Sequence, residues 1–222
     1  MFIKESKMNE NCHLTEITLK GKQARIYDNC LPLDVFRKMK DIMLSGEFPW
    51  FYNDAILYGG EFESPLDGYD NDNTVYQFTH TFFMGGFQSW PPSTEVIVPI
   101  LDILNPRSWI RVKANLNPIG SDHLVSGWHY DMGGMFEDGT MKPYDDSTTA
   151  VLYMNTNNGY TLMETGDKVE SVENRLVLFP NDILHTGITQ TDTKIRVLLN
   201  FNFFENKNEG KKHFDWRTLN EK

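Results

Sequence analysis

A chain of 222 residues with 40% hydrophobic and 13% aromatic content can build one full-sized core and is too apolar to stay disordered. Its formal net charge of −10 repels phosphate backbones, so a nucleic-acid partner is not expected. No run approaches the ~20 apolar residues of a membrane span. The polar start MFIKESKMNENCHLTE lacks the apolar core of a signal peptide, which predicts a cytoplasmic protein without a membrane partner. Cys12 and Cys30 form no CxxC pair and read as reduced structural thiols.

Two helical patterns precede residue 107. The first is predicted from Asp34 to Ser45, where Phe36, Met39, Ile42 and Met43 recur at helical spacing between Pro32 and Gly46. An acidic, turn-rich segment from Asp54 to Asp72 follows and reads as a lid or a plain surface loop. Thr74 to Phe83 is β-branched and aromatic, and predicts a strand. The second helix is expected from about Ser93 to Leu104, with Ser93 as N-cap and Val96, Ile97, Ile100, Leu101 and Leu104 on one face. Pro99 lies inside this pattern, so the helix either kinks there or starts later.

From Ser108 onward the chain reads as eight short strands broken by Gly, Asn and Asp turns: WIRVKANLN, SGWHYDM, TTAVLYMN, GYTLME, DKVES, RLVLFP, HTGITQ and KIRVLLNFNFF. The first alternates cleanly. Ile110, Val112, Ala114 and Leu116 take one face, and Arg111, Lys113, Asn115 and Asn117 the other. The expected architecture is mainly β, a jelly roll supported by two N-terminal helices. It forms a single domain over 1–222, with support at 1–107, the jelly-roll core at 108–204 and a tail at 205–222.

His129 and Asp131 form an H-x-D pair, which on a strand points an imidazole and a carboxylate to one face. His185, which follows an apolar strand and a turn in RLVLFPNDILHTG, is the best third ligand. Two histidines and one carboxylate on one face of an octahedral ion leave three positions open, which suits Fe(II) that must take up a co-substrate and O2. The bland alternative for the pair is two surface polar residues in a loop. Arg196 lies eleven positions after His185, flanked by Ile195, Val197 and Leu199. A guanidinium on so apolar a strand needs an anion. That anion is either a ligand carboxylate, which its planar fork fits, or an internal acid.

Residues 108–204 resemble the double-stranded β-helix of the 2-oxoglutarate/Fe(II) oxygenases, in their prolyl-4-hydroxylase-like branch. The pieces that carry the resemblance are HYD at 129–131, VLYMN at 151–155, NGYT at 158–161, LVLFPNDILHTG at 176–187 and KIRVLLNF at 194–201. The resemblance implies a non-haem dioxygenase with Fe(II) held by His129, Asp131 and His185, and with Arg196 on the distal carboxylate of 2-oxoglutarate. It places Tyr153 and Thr161 near that carboxylate. Where the family often has a tyrosine before a Pro or Gly, this chain has Asn117, with Asn115 able to share its task. The implied reaction uses O2, with ascorbate as a reductant, and releases succinate and CO2 while hydroxylating a peptidyl (prolyl-type) or small-molecule C–H bond. Asp131 separates it from halogenating relatives, which carry a small residue there. Two alternatives stand beside this: a cupin-like metal enzyme without 2-oxoglutarate, and a non-catalytic jelly-roll module.

The remaining histidines read as structural (His80) or solvated near the termini (His13, His213), and His123 in the loop before the H-x-D pair reads as a plain loop residue, with a role in a substrate loop as the alternative. Trp128 reads as either a core or a substrate-packing residue. The basic run Lys207, Lys211, Lys212 reads as a solvated tail.

Overall fold

The computed structural model describes residues 8–56, 62–85, 87–88, 93–135 and 140–206. The chain begins with β1 (His13–Leu19), β2 (Lys22–Asp28), α1 (Leu33–Met43), β3 (Phe51–Asn53), β4 (Gln77–Met84), β5 (Phe87–Gln88) and α2 (Ser93–Leu104). It continues with β6 (Pro106–Pro118), β7 (Gly133–Met135), β8 (Met141–Pro143), β9 (Ser147–Tyr153) and β10 (Tyr160–Met163). The last strands are β11 (Lys168–Glu170), β12 (Leu176–Pro180), β13 (His185–Ile188) and β14 (Ile195–Glu205).

Antiparallel pairing assembles a large sheet in the order β1-β2-β12-β9-β14-β6-β4-β3, with β5 beside β4, and a small sheet in the order β11-β10-β13. Strand alternation gives the large sheet two different faces. Val112 and Ala114 of β6, Ala150 and Leu152 of β9, and Val197, Leu199, Phe201 and Phe203 of β14 pack with the two helices in one core. From α1 this core takes Phe36, Met39 and Met43, and from α2 Val96, Ile100 and Leu104. Each such side chain contributes about 1.5–3 kcal/mol on burial. The opposite face turns toward the small sheet. There Val151, Tyr153, Val177, Phe179 and Leu198 meet Met163, Val169 and Ile183 in a second core. The result is a jelly roll with helices on one side, as expected.

Several details differ from the sequence reading. The hairpin β1–β2 was not foreseen; Lys20 (φ 50°) and Gly21 (φ 78°) close it as a two-residue left-handed turn. Its strands bury only Leu19 and Ala24 fully, the other positions being exposed or half-buried, so they carry a weak burial signal. The helix α2 starts at Ser93 and continues through Pro99. The predicted strand Thr74–Phe83 begins later, at Gln77, because Asp72 Oδ1 accepts from both the backbone N and the hydroxyl of Thr74 and holds that residue in a turn.

SGWHYDM does not form a continuous strand. Isolated bridges join it to β13, from Val125 just before it to Ile188 and from His129 to His185, with Gly127 between them at φ 102°. This segment therefore extends the small sheet beyond β13 in an irregular way. Trp128 points to the core: it is fully buried, its indole N donates to the Tyr69 carbonyl, and Phe62, Leu66 and Tyr69 pack around it. Residues 62–72 of the acidic segment are thus anchored to the small sheet rather than free. No helix among the described residues is long and apolar enough to cross a membrane. His213 and the basic run at 207–212 lie outside the described residues, as does most of the tail.

Candidate metal centre

His129 and His185 face each other across the last bridge of the small sheet, where each backbone N–H donates to the other's carbonyl at 3.0 and 3.2 Å. Their ring centroids are 4.7 Å apart. Asp131, two residues on, brings its carboxylate between them: Oδ1 is 3.8 Å from His129 Nε2 and Oδ2 is 3.6 Å from His185 Nε2. The ligand atoms of the three residues lie within 4.8 Å of one another.

The ring orientations suit a metal. His129 Nδ1 sits 2.9 Å from the Gly127 carbonyl and His185 Nδ1 3.1 Å from the Ile183 carbonyl. Each Nδ1 therefore carries the proton and donates, and each Nε2 keeps its lone pair for an ion. Burial, with His185 close by, pushes His129 down to about 4, so the ring is neutral at ordinary pH. Burial alone would raise Asp131, but His185, Arg111 and His129 outweigh it and hold the carboxyl well below its usual range.

A second layer fixes the carboxylate. Arg111 Nη2 donates to Asp131 Oδ1 at 2.7 Å and Asn200 Nδ2 to Oδ2 at 2.9 Å. Arg111 Nε in turn donates to Asn202 Oδ1 at 3.0 Å, and Asn202 Nδ2 to Thr149 Oγ1 at 3.1 Å. Sequence reasoning put Arg111 on the polar face of its strand but gave it no role, and it missed Asn200 and Asn202. Their signal was the polar alternation inside N-F-N of the apolar strand β14.

The ligands open onto a cavity of about 130 Å³ between the two sheets, which Arg196, Asn117, Asn115, Lys113 and Thr161 also line. Arg196 is 3% exposed. Its Nε donates to Ser171 Oγ at 2.8 Å and its Nη2 to Thr161 Oγ1 at 3.4 Å. Among the described residues no carboxylate pairs with it, so the internal salt bridge weighed from sequence is not made. Gly159 makes room for it, since a Cβ there would lie 2.9 Å from Arg196 Cδ, and Gly187 lies alongside, where a Cβ would be 3.6 Å from Nη1.

Asn117 pairs in register with Arg196 across β6 and β14, so both side chains reach the same end of the cavity. Tyr153 stands behind this end. Its hydroxyl is 2.7 Å from Thr161 Oγ1 and its ring lies 5.7 Å from the guanidinium carbon, while Thr161 itself faces the cavity.

No protein-family model matches the sequence, and neither does any curated protein. The chain is similar to solved 2OG-Fe(II) oxygenase structures. A Pseudomonas putida prolyl-4-hydroxylase is 17% identical, over 83% of this chain and 94% of that one, with a TM-score of 0.46. A 2OG-Fe(II) oxygenase family oxidoreductase from Burkholderia pseudomallei is 13% identical, over 81% and 85%, with a TM-score of 0.48. A prolyl hydroxylase from Trichoplax adhaerens, in complex with a hypoxia inducible factor oxygen degradation domain peptide fragment, is 13% identical, over 82% and 83%, with a TM-score of 0.49.

Other residues weighed from sequence lie away from the cavity. His80 is packed between Phe48 and Phe82, with Nδ1 2.9 Å from the Pro49 carbonyl. His123 Nδ1 lies 2.5 Å from the Thr189 carbonyl in the loop before the H-x-D pair, and His13 is exposed on β1. Cys12 and Cys30 are unbridged, and burial pushes the Cys30 thiol up to about 12.

Proposed function

We propose that this chain is an Fe(II)- and 2-oxoglutarate-dependent dioxygenase that hydroxylates a C–H bond and releases succinate and CO2. One observation carries the reading. A buried arginine with no acid partner among the described residues shares a cavity with two histidines and a carboxylate arranged to hold one ion. A buried unpaired cation is costly unless a ligand supplies the anion. A dianion that chelates a metal at one end and presents a carboxylate at the other meets both needs.

His129, Asp131 and His185 would hold Fe(II), which when bound would activate O2, the oxidant that takes up the electrons released as the co-substrate is decarboxylated. The chain's own residues do the positioning. Both imidazoles are oriented through Nδ1 so that Nε2 faces the ion, and Arg111 and Asn200 clamp the carboxylate in its ionised form. Arg196 fixes the distal carboxylate, with Thr161 beside it and Asn117 opposite, and Tyr153 supports Thr161 from behind. The presence of Asp131 favours hydroxylation over halogenation. The primary substrate, a peptidyl (prolyl-type) or small-molecule C–H bond, rests on the sequence resemblance alone.

The assay is succinate formation from 2-oxoglutarate with Fe(II), ascorbate and air. The reading requires succinate that depends on iron and is lost in His185→Ala. Metal-dependent turnover of other compounds without 2-oxoglutarate consumption would favour the cupin-like alternative. Absence of metal binding would favour the non-catalytic module.

A further inference from the structure

Lys113 extends into the same cavity from the face of β6 that carries Arg111, Asn115 and Asn117. Among the described residues its ammonium makes no ion pair or hydrogen bond, and burial, with Arg111 beside it, depresses its pKa to about 8 against the weaker pull of Asp131. Two residues on, Asn115 has a buried Oδ1 with no partner. Among the described residues the lining carries three basic side chains, Arg111, Lys113 and Arg196, against one carboxylate, Asp131, which Arg111 and Asn200 already engage.

The charges do not close when the proposed cofactor and co-substrate are added. Fe(II) and the 2-oxoglutarate dianion cancel, so a surplus of two positive charges stands. With Asp131 assigned to Arg111, the distal carboxylate to Arg196 and the other carboxylate to the metal, one of these charges stays on the metal and the other on Lys113. That lysine stands on β6 between Arg111, which holds Asp131, and Asn117, which pairs with Arg196. A neutral substrate would leave this partly buried ammonium without a counter-ion.

We propose that Lys113 and Asn115 form the acid-recognition subsite for the primary substrate, which presents a carboxylate to the lysine and a neighbouring N–H or O–H to the asparagine. This rests on the oxygenase reading of the site. It makes the substrate an acidic small molecule or an acidic side chain, and Lys113 the residue that selects it.

The test uses the full chain loaded with Zn(II) and saturated with 2-oxoglutarate. Binding of acetate, propanoate and glycolate is compared by ligand-observed NMR with that of acetamide, propanamide and glycolamide. Each acid should bind about tenfold or more tightly than its amide, as a charge-assisted contact implies. Lys113→Met should abolish this preference, and Lys113→Arg should keep it. In Lys113→Met the 2-oxoglutarate Kd should move by less than roughly threefold, because Arg196 holds that ligand. Asn115→Ala should keep the acid preference and lose the gain of glycolate over acetate. The proposal is overturned by no acid preference in the wild type, or by a preference that survives Lys113→Met. It is equally overturned if Lys113→Met mainly weakens 2-oxoglutarate, since the lysine would then serve the co-substrate. If Lys113→Met does not fold, Lys113→Gln takes its place. Should 2-oxoglutarate fail to bind the wild type, the oxygenase reading falls, and the same series on the Zn(II)-loaded protein still decides the role of Lys113.

Discussion

Arg111 donates to Asp131 at 2.7 Å from a strand of the large sheet, so the carboxylate proposed to hold the metal is tied to the opposite layer. The side chains of this pair are 14% and 4% exposed. Removing one partner of a buried ion pair costs about 3–5 kcal/mol. Arg111→Met should therefore destabilise the metal-free protein by an amount near the low end, because Asn200 still holds Oδ2. Saturating Zn(II) should recover much of the loss by replacing the missing positive charge. Urea unfolding with and without metal checks this; an equal loss in both would mean that the arginine matters only for packing.

Arg196 gives the opposite expectation for stability. With no acid partner among the described residues, Arg196→Met removes a buried cation without stranding an anion. Thermal stability without 2-oxoglutarate should hold or rise. The Kd for 2-oxoglutarate should increase by roughly 10- to 150-fold, the equivalent of about 1.5–3 kcal/mol for hydrogen bonds to a charged group. Calorimetry and thermal unfolding on the same variant separate the two effects. A large loss of stability would reveal an anion that Arg196 holds in the free protein.

Gly187 faces the cavity beside the guanidinium. A methyl there would lie 2.9 Å from Ser126 Oγ and 3.6 Å from Arg196 Nη1, beside the guanidinium proposed to hold the co-substrate carboxylate. Overpacking costs about 1–3 kcal/mol. Gly187→Ala should thus weaken 2-oxoglutarate by roughly five- to 150-fold, while metal affinity barely changes. Unaltered 2-oxoglutarate affinity would place the co-substrate elsewhere.

Lys113 predicts a pH dependence. Burial and Arg111 push its pKa to about 8 from an ordinary 10.5. Between those values the unfolded chain binds a proton that the folded protein has released, so stability rises with pH. Below about 8 both states are protonated and the burial penalty is constant. Relative to Lys113→Met, which cancels the groups common to both proteins, the wild type should gain on the order of 2 kcal/mol between pH 7 and 10. Urea unfolding across that range measures the difference; a gap independent of pH would mean the ammonium is well solvated.

Much of this site was legible because strand alternation has period two and the large sheet has one greasy face. The polar residues of β6 and Arg196 of β14 had to point away from the helices, and His129, Asp131 and His185 stood out by spacing. Other features depend on long-range register. That Arg111 meets Asp131 follows from how the H-x-D segment crosses the large sheet, which no local pattern encodes. Tyr153 has the inward parity of Arg196, yet Thr161 packs over its hydroxyl, so parity alone did not decide its reach. The edge hairpin β1–β2 buries too little to show a pattern, and Gly127 interrupts a segment whose composition reads as a strand.

The central claim is that one cavity holds a metal at one end and 2-oxoglutarate across to the other. Calorimetric titration of 2-oxoglutarate into the metal-free protein, the Mn(II)-loaded protein and Mn(II)-treated His185→Ala tests it most directly. Binding should be tighter by about tenfold or more with metal in the wild type, and the metal should confer little gain in His185→Ala. Equal affinity with and without Mn(II), or a full metal effect in His185→Ala, would contradict the account.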